Sequence, residues 1–318
     1  MSQCAVIIVN WNSWDLLSRC LTSLQHQTLK DFAVLVIDNG SEFNNIPSFR
    51  EKYSHVTFIR NQSNIGFAAA NNQAIKLLEN TEWVALLNPD AFPDPDWLEK
   101  LVSAANSNTD YTFFASRQFM EGNEHILDGD GDIYHISGLA WRNNHGKFLI
   151  NNEKDNCEIF SPCAAAAFYK KSALISVGGF DEDFFCYFED VDLGFRLRLL
   201  GHRCLLVTNA IVHHIGSATS GGKRSDFALY YGHRNFVWTY VKNMPGFLLW
   251  LCMPLHLSLN LLSILWFSLR GQGCVVFRAK RDAIKYLPKI WSKRRSIQQS
   301  RTIPISRIWC LLDKRLAK

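Results

Sequence analysis

Several absences narrow this 318-residue sequence before any motif is read. Its nine cysteines are odd in number and scattered, and no two form a C-x-x-C pair. That argues against a disulfide framework and a zinc site, and for a reducing compartment. There is no G-x-x-x-x-G-K-[ST] and no G-x-G-x-x-G. Phosphate must then be held by something other than a glycine cradle, and a divalent cation on a carboxylate is the usual substitute. No basic region precedes the apolar run that starts at Cys4. No signal peptide is read, and the N-terminal part is expected in the cytoplasm.

Charge is unevenly scarce as well. From Arg270 onward there are 14 Lys and Arg against two acids, Asp282 and Asp313, a local charge of +12. Residues 1–269 carry 20 bases and 27 acids, a balance of −7. An acidic body with a basic tail suggests that the tail meets an anionic surface. Between them, residues 245–269 contain no Lys, Arg, Asp or Glu, and these 25 residues exceed the roughly 20 needed to span a bilayer. Pro254, near the middle, suggests a kink or a re-entrant hairpin.

What is present organises around Leu86-Leu87-Asn88-Pro89-Asp90-Ala91. Trp83 to Leu87 is an unbroken apolar run, as suits a strand buried on both faces of a parallel sheet. Pro89 cannot donate to a ladder, so Asp90 lies just beyond the strand's carboxyl end, the rim where open α/β sheets bind ligands. Earlier strands are predicted over 4–9, 32–37 and 56–59. A helix carrying Leu16, Leu17, Cys20, Leu21 and Leu24, capped by Asn12 or Ser13, follows the first, and an alanine-rich helix over 67–78 follows the third. This alternation predicts a parallel half sheet with polar turns at Asn10, Asp38 and Asp90 converging on one rim. A helix is expected over 93–106. From Tyr111 to Asn156 periodicity weakens, and Asp128-Gly129-Asp130-Gly131-Asp132, which lacks the closing Glu of a calcium loop, reads as a plain loop. Residues 160–169 read as a buried segment whose alanines, Ala164 to Ala167, let a ligand approach the backbone.

In the second informative stretch, residues 178–192, acids alternate with Phe184, Phe185, Tyr187 and Phe188 ahead of a helix over 193–200 closed by Gly201. Acids in a first helical turn are ordinary dipole complements. Aromatics packed between carboxylates suit instead a wall for a sugar ring with a carboxylate held over it. A short strand over 204–207 then leads to His213-His214, and Ser217 to Gly222 reads as a flexible lid.

Val6-Ile7-Ile8-Val9-Asn10-Trp11-Asn12, Asp38-Asn39-Gly40-Ser41, Asn64-Ile65-Gly66-Phe67-Ala68, Asn88-Pro89-Asp90, Gly179-Phe180-Asp181-Glu182 with Phe184-Phe185, Glu189-Asp190-Val191-Asp192 and His214-x-Gly216-Ser217 occur in that order. Together they resemble the family-2 inverting glycosyltransferases, and most closely the rhamnosyltransferase-like branch that builds bacterial surface polysaccharides. The resemblance covers roughly residues 4–240. It implies an α/β, GT-A type fold: a nucleotide-sugar-binding half sheet (1–105) fused to an acceptor and catalytic-base half (106–225), to which charge and hydropathy add a helical, membrane-associated basic tail (226–318). It also implies a dTDP-, UDP- or GDP-linked sugar donor and a divalent cation, Mg2+ or Mn2+. Carried over by position, Val9, Asn10 and Asn12 line the nucleotide pocket and Asp38 reads the base. Asn64 and Gly66 lie on the ribose or sugar side. Asp90 is the metal-binding acid of a D-x-D element whose first position is here Asn88. Asp190, with Glu189 beside it, is the catalytic base, and His214 lies near the diphosphate and metal. Arg234 faces the diphosphate or makes a surface ion pair.

The catalytic body has to be cytoplasmic to meet nucleotide sugars, and a single crossing would put the +12 tail outside, against the positive-inside preference. The expectation is therefore a peripheral or monotopic segment on the cytoplasmic face of the inner membrane, with the basic helices on anionic lipid and a lipid-linked glycan as acceptor. A nucleotidyltransferase would need a glycine-rich, basic phosphate loop after the first strand, which Val9-Asn10-Trp11-Asn12-Ser13 does not provide. A non-enzymatic basic-tailed nucleic-acid or scaffold protein would leave Asp38, Asp90 and Asp190 unexplained, so no nucleic acid is expected as partner.

Overall fold

The computed structural model describes residues 3–149, 155–216 and 225–315. In the first third, strands and helices alternate: β1 (Cys4–Asn10), α1 (Trp14–Gln25), β2 (Phe32–Asp38), α2 (Ile46–Lys52), β3 (Val56–Arg60), α3 (Phe67–Leu77), β4 (Trp83–Leu87), the short β5 (Ala91–Pro93) and α4 (Trp97–Ser107). β3, β2, β1 and β4 lie side by side and parallel, the half sheet that the alternation predicts. α2 has no counterpart in the sequence reading, because a seven-residue helix with only Ile46 buried shows no periodicity. The helix expected from Pro93 begins at Trp97 instead, since Phe92 and Pro93 are taken up in pairing with a later strand. Ser13 does precede α1, but neither it nor Asn12 caps it through a side chain; the Asn12 side-chain Oδ1 accepts from the Glu42 amide instead.

Next come β6 (Phe113–Met120), β7 (Leu127–Gly129), β8 (Asp132–Tyr134), β9 (Ala140–Arg142), β10 (Cys157–Ile159), β11 (Ala166–Lys170), α5 (Lys171–Ser176), a 3-10 turn at Glu182–Phe184, α6 (Glu189–Leu199) and β12 (Cys204–His214). Residues 111–149 are thus not the irregular stretch expected. β6 sits inside the sheet, and its apolar alternation is hidden by Ser116, Arg117 and Gln118, all buried. Arg117 pays for its burial with an ion pair to Asp130, Nε to Oδ1 at 2.9 Å. The aspartate run is likewise no solvated loop: Asp128, Asp130 and Asp132 are all buried. β11 runs antiparallel between β4 and β6, so residues on both sides of position 105 share one ten-stranded mixed sheet.

Both faces of that sheet are covered. On β1, Cys4, Val6 and Ile8 join a core with α1 and α4, while Ala5 and Ile7 point to the opposite core with α3, α5 and α6. That is the strand period of two serving two apolar layers. A third core gathers Phe184, Phe195, Trp238, Tyr240 and Leu249, where the C-terminal helices α7 (Asp226–Asn243), α8 (Leu248–Ser268), α9 (Gly273–Lys285), α10 (Leu287–Ser300) and α11 (Ile305–Leu311) meet α6.

The basic tail is partly spent inside the molecule. Lys293 pairs with Asp181 and Asp183, Lys289 with Asp183, and the buried Arg294 donates to the carbonyls of Val241 and Met244 at the end of α7. The acidic body is thus itself one partner of the tail's cations. α8 is the one helix among the described residues long and apolar enough to cross a membrane. It is continuous through Pro254, so no re-entrant hairpin forms. At 1.5 Å per residue its 21 residues span about 32 Å. Leu248, Leu249, Cys252 and His256 are buried on the third core, whereas Trp250, Leu251, Leu257, Leu261, Leu265 and Leu269 are exposed.

β11 joins the two parts of the sheet through Phe168, which stacks on Trp83 of β4 at 5.1 Å and lies opposite Phe114 of β6. Phe168→Ala should cost about 3–5 kcal/mol of stability, read as a lowered urea midpoint with little change in slope.

Candidate active site

A cavity of about 290 Å³ opens at the carboxyl ends of β1 and β4. Asn88, Pro89 and Asp90 form one wall, Val9, Trp11, Asn39 and Asn64 a second, and the aromatic loop Phe185 to Phe188 with Glu189 and Asp190 a third. Cys163 to Ala165 bring bare backbone to the rim, as the alanine run implied, and the Asn88 amide is tied to the Ala165 carbonyl at 2.9 Å.

The aromatic loop is held in an unusual conformation. Phe185, Tyr187 and Phe188 have φ of 66°, 65° and 67°, a region that non-glycine residues avoid. The fully buried Asn235 of α7 donates its side-chain amide to the carbonyls of Phe184, Cys186 and Tyr187 at 2.8–2.9 Å. Arg234 donates to the carbonyls of Asp183 and Phe184 and stacks on Trp238. Gly66 completes the fit, because a Cβ there would lie 2.7 Å from the Phe185 ring.

This loop delivers Asp190 to the first turn of α6. Its Oδ2 accepts from the Ala164 amide at 3.1 Å and its Oδ1 from the Val191 amide at 2.8 Å. Burial raises the Asp190 pKa, with those amides and Arg142 restraining the rise. Glu189, buried beside it, is raised well above the usual range by burial and by the Asp190 charge. Both carboxyls therefore stabilise the fold fully only below the ordinary carboxylate range, and that contribution is lost as pH rises through their folded-state pKa values.

His214, which lines the same cavity, is buried between two aspartates, Nδ1 2.7 Å from Asp128 Oδ2 and Nε2 3.3 Å from Asp90 Oδ1. Burial opposes the imidazolium, but the bond to Asp128 and the nearness of Asp90 prevail and raise the His214 pKa. Nε2 nevertheless lacks a partner with hydrogen-bond geometry. An orphaned buried nitrogen beside a carboxylate is a fair donor pair for Mg2+ or Mn2+. Such ions take few protein ligands and complete their shells with substrate phosphate and water. No group of three His, Cys, Asp or Glu suited to a metal occurs among the described residues, so the pair is what those residues offer.

Comparison with known proteins decides what this arrangement belongs to. The family model for glycosyl transferase family 2 matches residues 5–178. The chain belongs to glycosyl transferase family 2. It is 27% identical over 257 residues to an N-acetylglucosaminyl-diphospho-decaprenol L-rhamnosyltransferase of Mycobacterium tuberculosis, covering 71% of this chain and 80% of that protein. It is 27% identical over 222 residues to the O-antigen biosynthesis protein RfbC of Myxococcus xanthus, covering 67% of this chain and 17% of that one. In fold it is similar to GalNAc-T7, crystallised with UDP, GalNAc and Mn2+, at a TM-score of 0.61 and 15% identity. That match covers 76% of this chain, which spans about half (48%) of that structure's chain. The family-2 glycosyltransferase and GT-A-like fold implied by the motifs are thus established.

Within that fold, Val9, Asn64, Asn88, Asp90, Glu189, Asp190 and His214 line the cavity together. The other sequence-derived residues sit behind it. Asn10 and Asp38 are fully buried, and Asn10 Oδ1 and Asp38 Oδ2 lack hydrogen-bond partners, although Arg60 lies 3.7 Å from the latter. Asn12 clasps the neighbouring loop through the Ser41 hydroxyl and Glu42 amide. Gly66 and Arg234 are not among the residues lining the cavity; both pack on the aromatic loop. The lid expected over Ser217 to Gly222 lies outside the described residues. Sequence reasoning missed Asn39, Asn235, Asp128 and Arg142. Asn39 stood inside a quoted motif, whereas Arg142 reaches the cavity from a region with no pattern at all.

Asp190→Asn should leave donor binding intact and lower kcat by about 10²–10⁴-fold, and the acid limb of the wild-type kcat profile should lie above pH 4, the ordinary carboxylate value. Asn235→Ala, by releasing the loop that carries Asp190, should lower kcat by about tenfold or more while the donor Kd changes little, a split that calorimetry with steady-state kinetics resolves.

Proposed function

We propose that the protein moves a sugar, with inversion, from a nucleoside diphosphate donor to a lipid-linked or polysaccharide acceptor at the cytoplasmic face of a membrane. The observation that carries this reading is that Asp90, His214 and Asp190 line one cavity. Inversion is a single in-line displacement through an oxocarbenium-like transition state, and it makes two separate demands on charge. The acceptor hydroxyl must lose its proton, and Asp190 is the group to take it. A raised pKa strengthens it as a base, while the two amides favour its carboxylate form and aim it. The leaving diphosphate gathers negative charge, and a divalent cation held by Asp90 and His214 would neutralise it.

Asn88 leaves Asp90 as the single carboxylate of its motif, and Asp128 supports the pair from behind by fixing the His214 ring. Rhamnose is the favoured sugar, on the likeness to the mycobacterial rhamnosyltransferase. The exposed apolar face of α8 beside the surface cations of α9 and α10 favours a monotopic seat on the membrane.

Calorimetric titration of dTDP-rhamnose, UDP-sugars and GDP-sugars, with and without Mn2+, tests the centre of this reading. One donor should bind, need the metal, and lose about tenfold or more in affinity in Asp90→Ala. Failure of every donor to bind would refute the reading.

A further inference from the structure

The catalytic cavity has an apolar neighbour. A groove of about 620 Å³ runs between α7 and α8. Leu229, Gly232 and Phe236 form its floor, spaced three and four apart on one face of α7, and Leu262 and Trp266 of α8 form its lip. The groove is overwhelmingly apolar, and it opens onto the exposed strip of α8 at Leu265 and Leu269, the side by which a chain embedded in a bilayer would enter.

Two elements join it to the catalytic cavity. Phe188 is a wall of both spaces. β9 borders both: Ala140 lines the groove, and Arg142, two residues on and so on the same face of the strand, lines the cavity. Arg142 is the one Lys or Arg among the described residues lining the cavity. Its contacts with Asp128 and His214 both use Nη1, which leaves the rest of a permanently charged, planar fork suited to phosphate. The groove thus supplies hydrocarbon, and the cavity that adjoins it at Phe188 and β9 supplies a guanidinium and the Asp190 carboxylate.

We propose that the α7–α8 groove binds the isoprenoid chain of an acceptor whose anionic head lies against Arg142 and whose sugar hydroxyl reaches Asp190. This rests on the lipid-linked acceptor of the reading above and adds where its chain lies. It also gives Phe188 a second task, as the partition between the chain and the transferred sugar.

Gly232→Leu provides the test. A Cβ at Gly232 meets nothing within 4 Å, and the position is helical, so leucine fills the groove without straining the fold. The probe is decaprenyl diphosphate carrying a diazirine along its chain, photolysed with the full-length protein in mixed micelles. Wild type should be labelled on peptides containing Leu229 to Phe236 and Leu259 to Leu269, and Gly232→Leu should lose about tenfold or more of that labelling while binding the nucleotide sugar as wild type does. Equal labelling of the variant, or labelling confined to Trp250 and Leu257, overturns the proposal. So does labelling of the groove by a diazirine phosphatidylcholine that decaprenyl diphosphate does not displace, which would assign it to bulk bilayer lipid. Donor titration on the same samples reports separately on the catalytic reading, so loss of one does not pass for loss of the other.

Discussion

The site depends on holding a short aromatic loop where its backbone resists being. Three non-glycine residues between 185 and 188 have positive φ, each at a cost of about 1 kcal/mol or more. The compensation comes from α7, where the two N–H groups of Asn235 are shared among three loop carbonyls and Arg234 takes two more contacts. Glycine would have relieved the strain, but it would have removed the rings that wall the cavity and let the segment fray. The arrangement exchanges local comfort for a fixed direction of Asp190, which begins α6 immediately after the loop.

The same segment explains where much of the tail's charge goes. Asp181 and Asp183, at the foot of the loop, are held by Lys293 and Lys289, and the buried Lys242 sits between Asp181 and Asp192 at 2.6 and 2.7 Å. Burial lowers the Lys242 pKa while the two aspartates oppose the fall. A lone buried ammonium would be costly, and two carboxylates with well-made contacts are what offset it. The helical tail is thus fastened onto the catalytic body by charge as well as by the third core. α7 carries both the groove floor and the ties to the loop, so the groove, the loop and Asp190 form one mechanical unit.

Much of this was legible in the residues. The apolar runs of β1, β2 and β4 and the stop at Pro89 located the rim on which Asp90 sits, because a strand buried on both faces leaves an unmistakable pattern and proline ends it. The glutamate and aspartates ahead of α6 pointed to Asp190 by type and position. β6 was not legible, since Ser116, Arg117 and Gln118 break its apolar pattern and are tolerated only because partners such as Asp130 and Trp97 come from elsewhere in the chain. Arg142 and Asp128 were hidden for the same reason.

By itself, then, the sequence determined the parallel half sheet, the family, and the two carboxylates, Asp90 and Asp190, that line one cavity, since each is encoded by neighbours along the chain. Tertiary structure alone decided which polar residues touch the cavity and which only support it. Arg234 and Gly66 belong to the loop's support because Phe185 packs against one and its preceding carbonyls against the other, and no local pattern records such contacts. It also decided that α8 would leave a groove beside Phe188, because a helix can carry apolar residues all round and only its packing against α7 determines which of them remain uncovered.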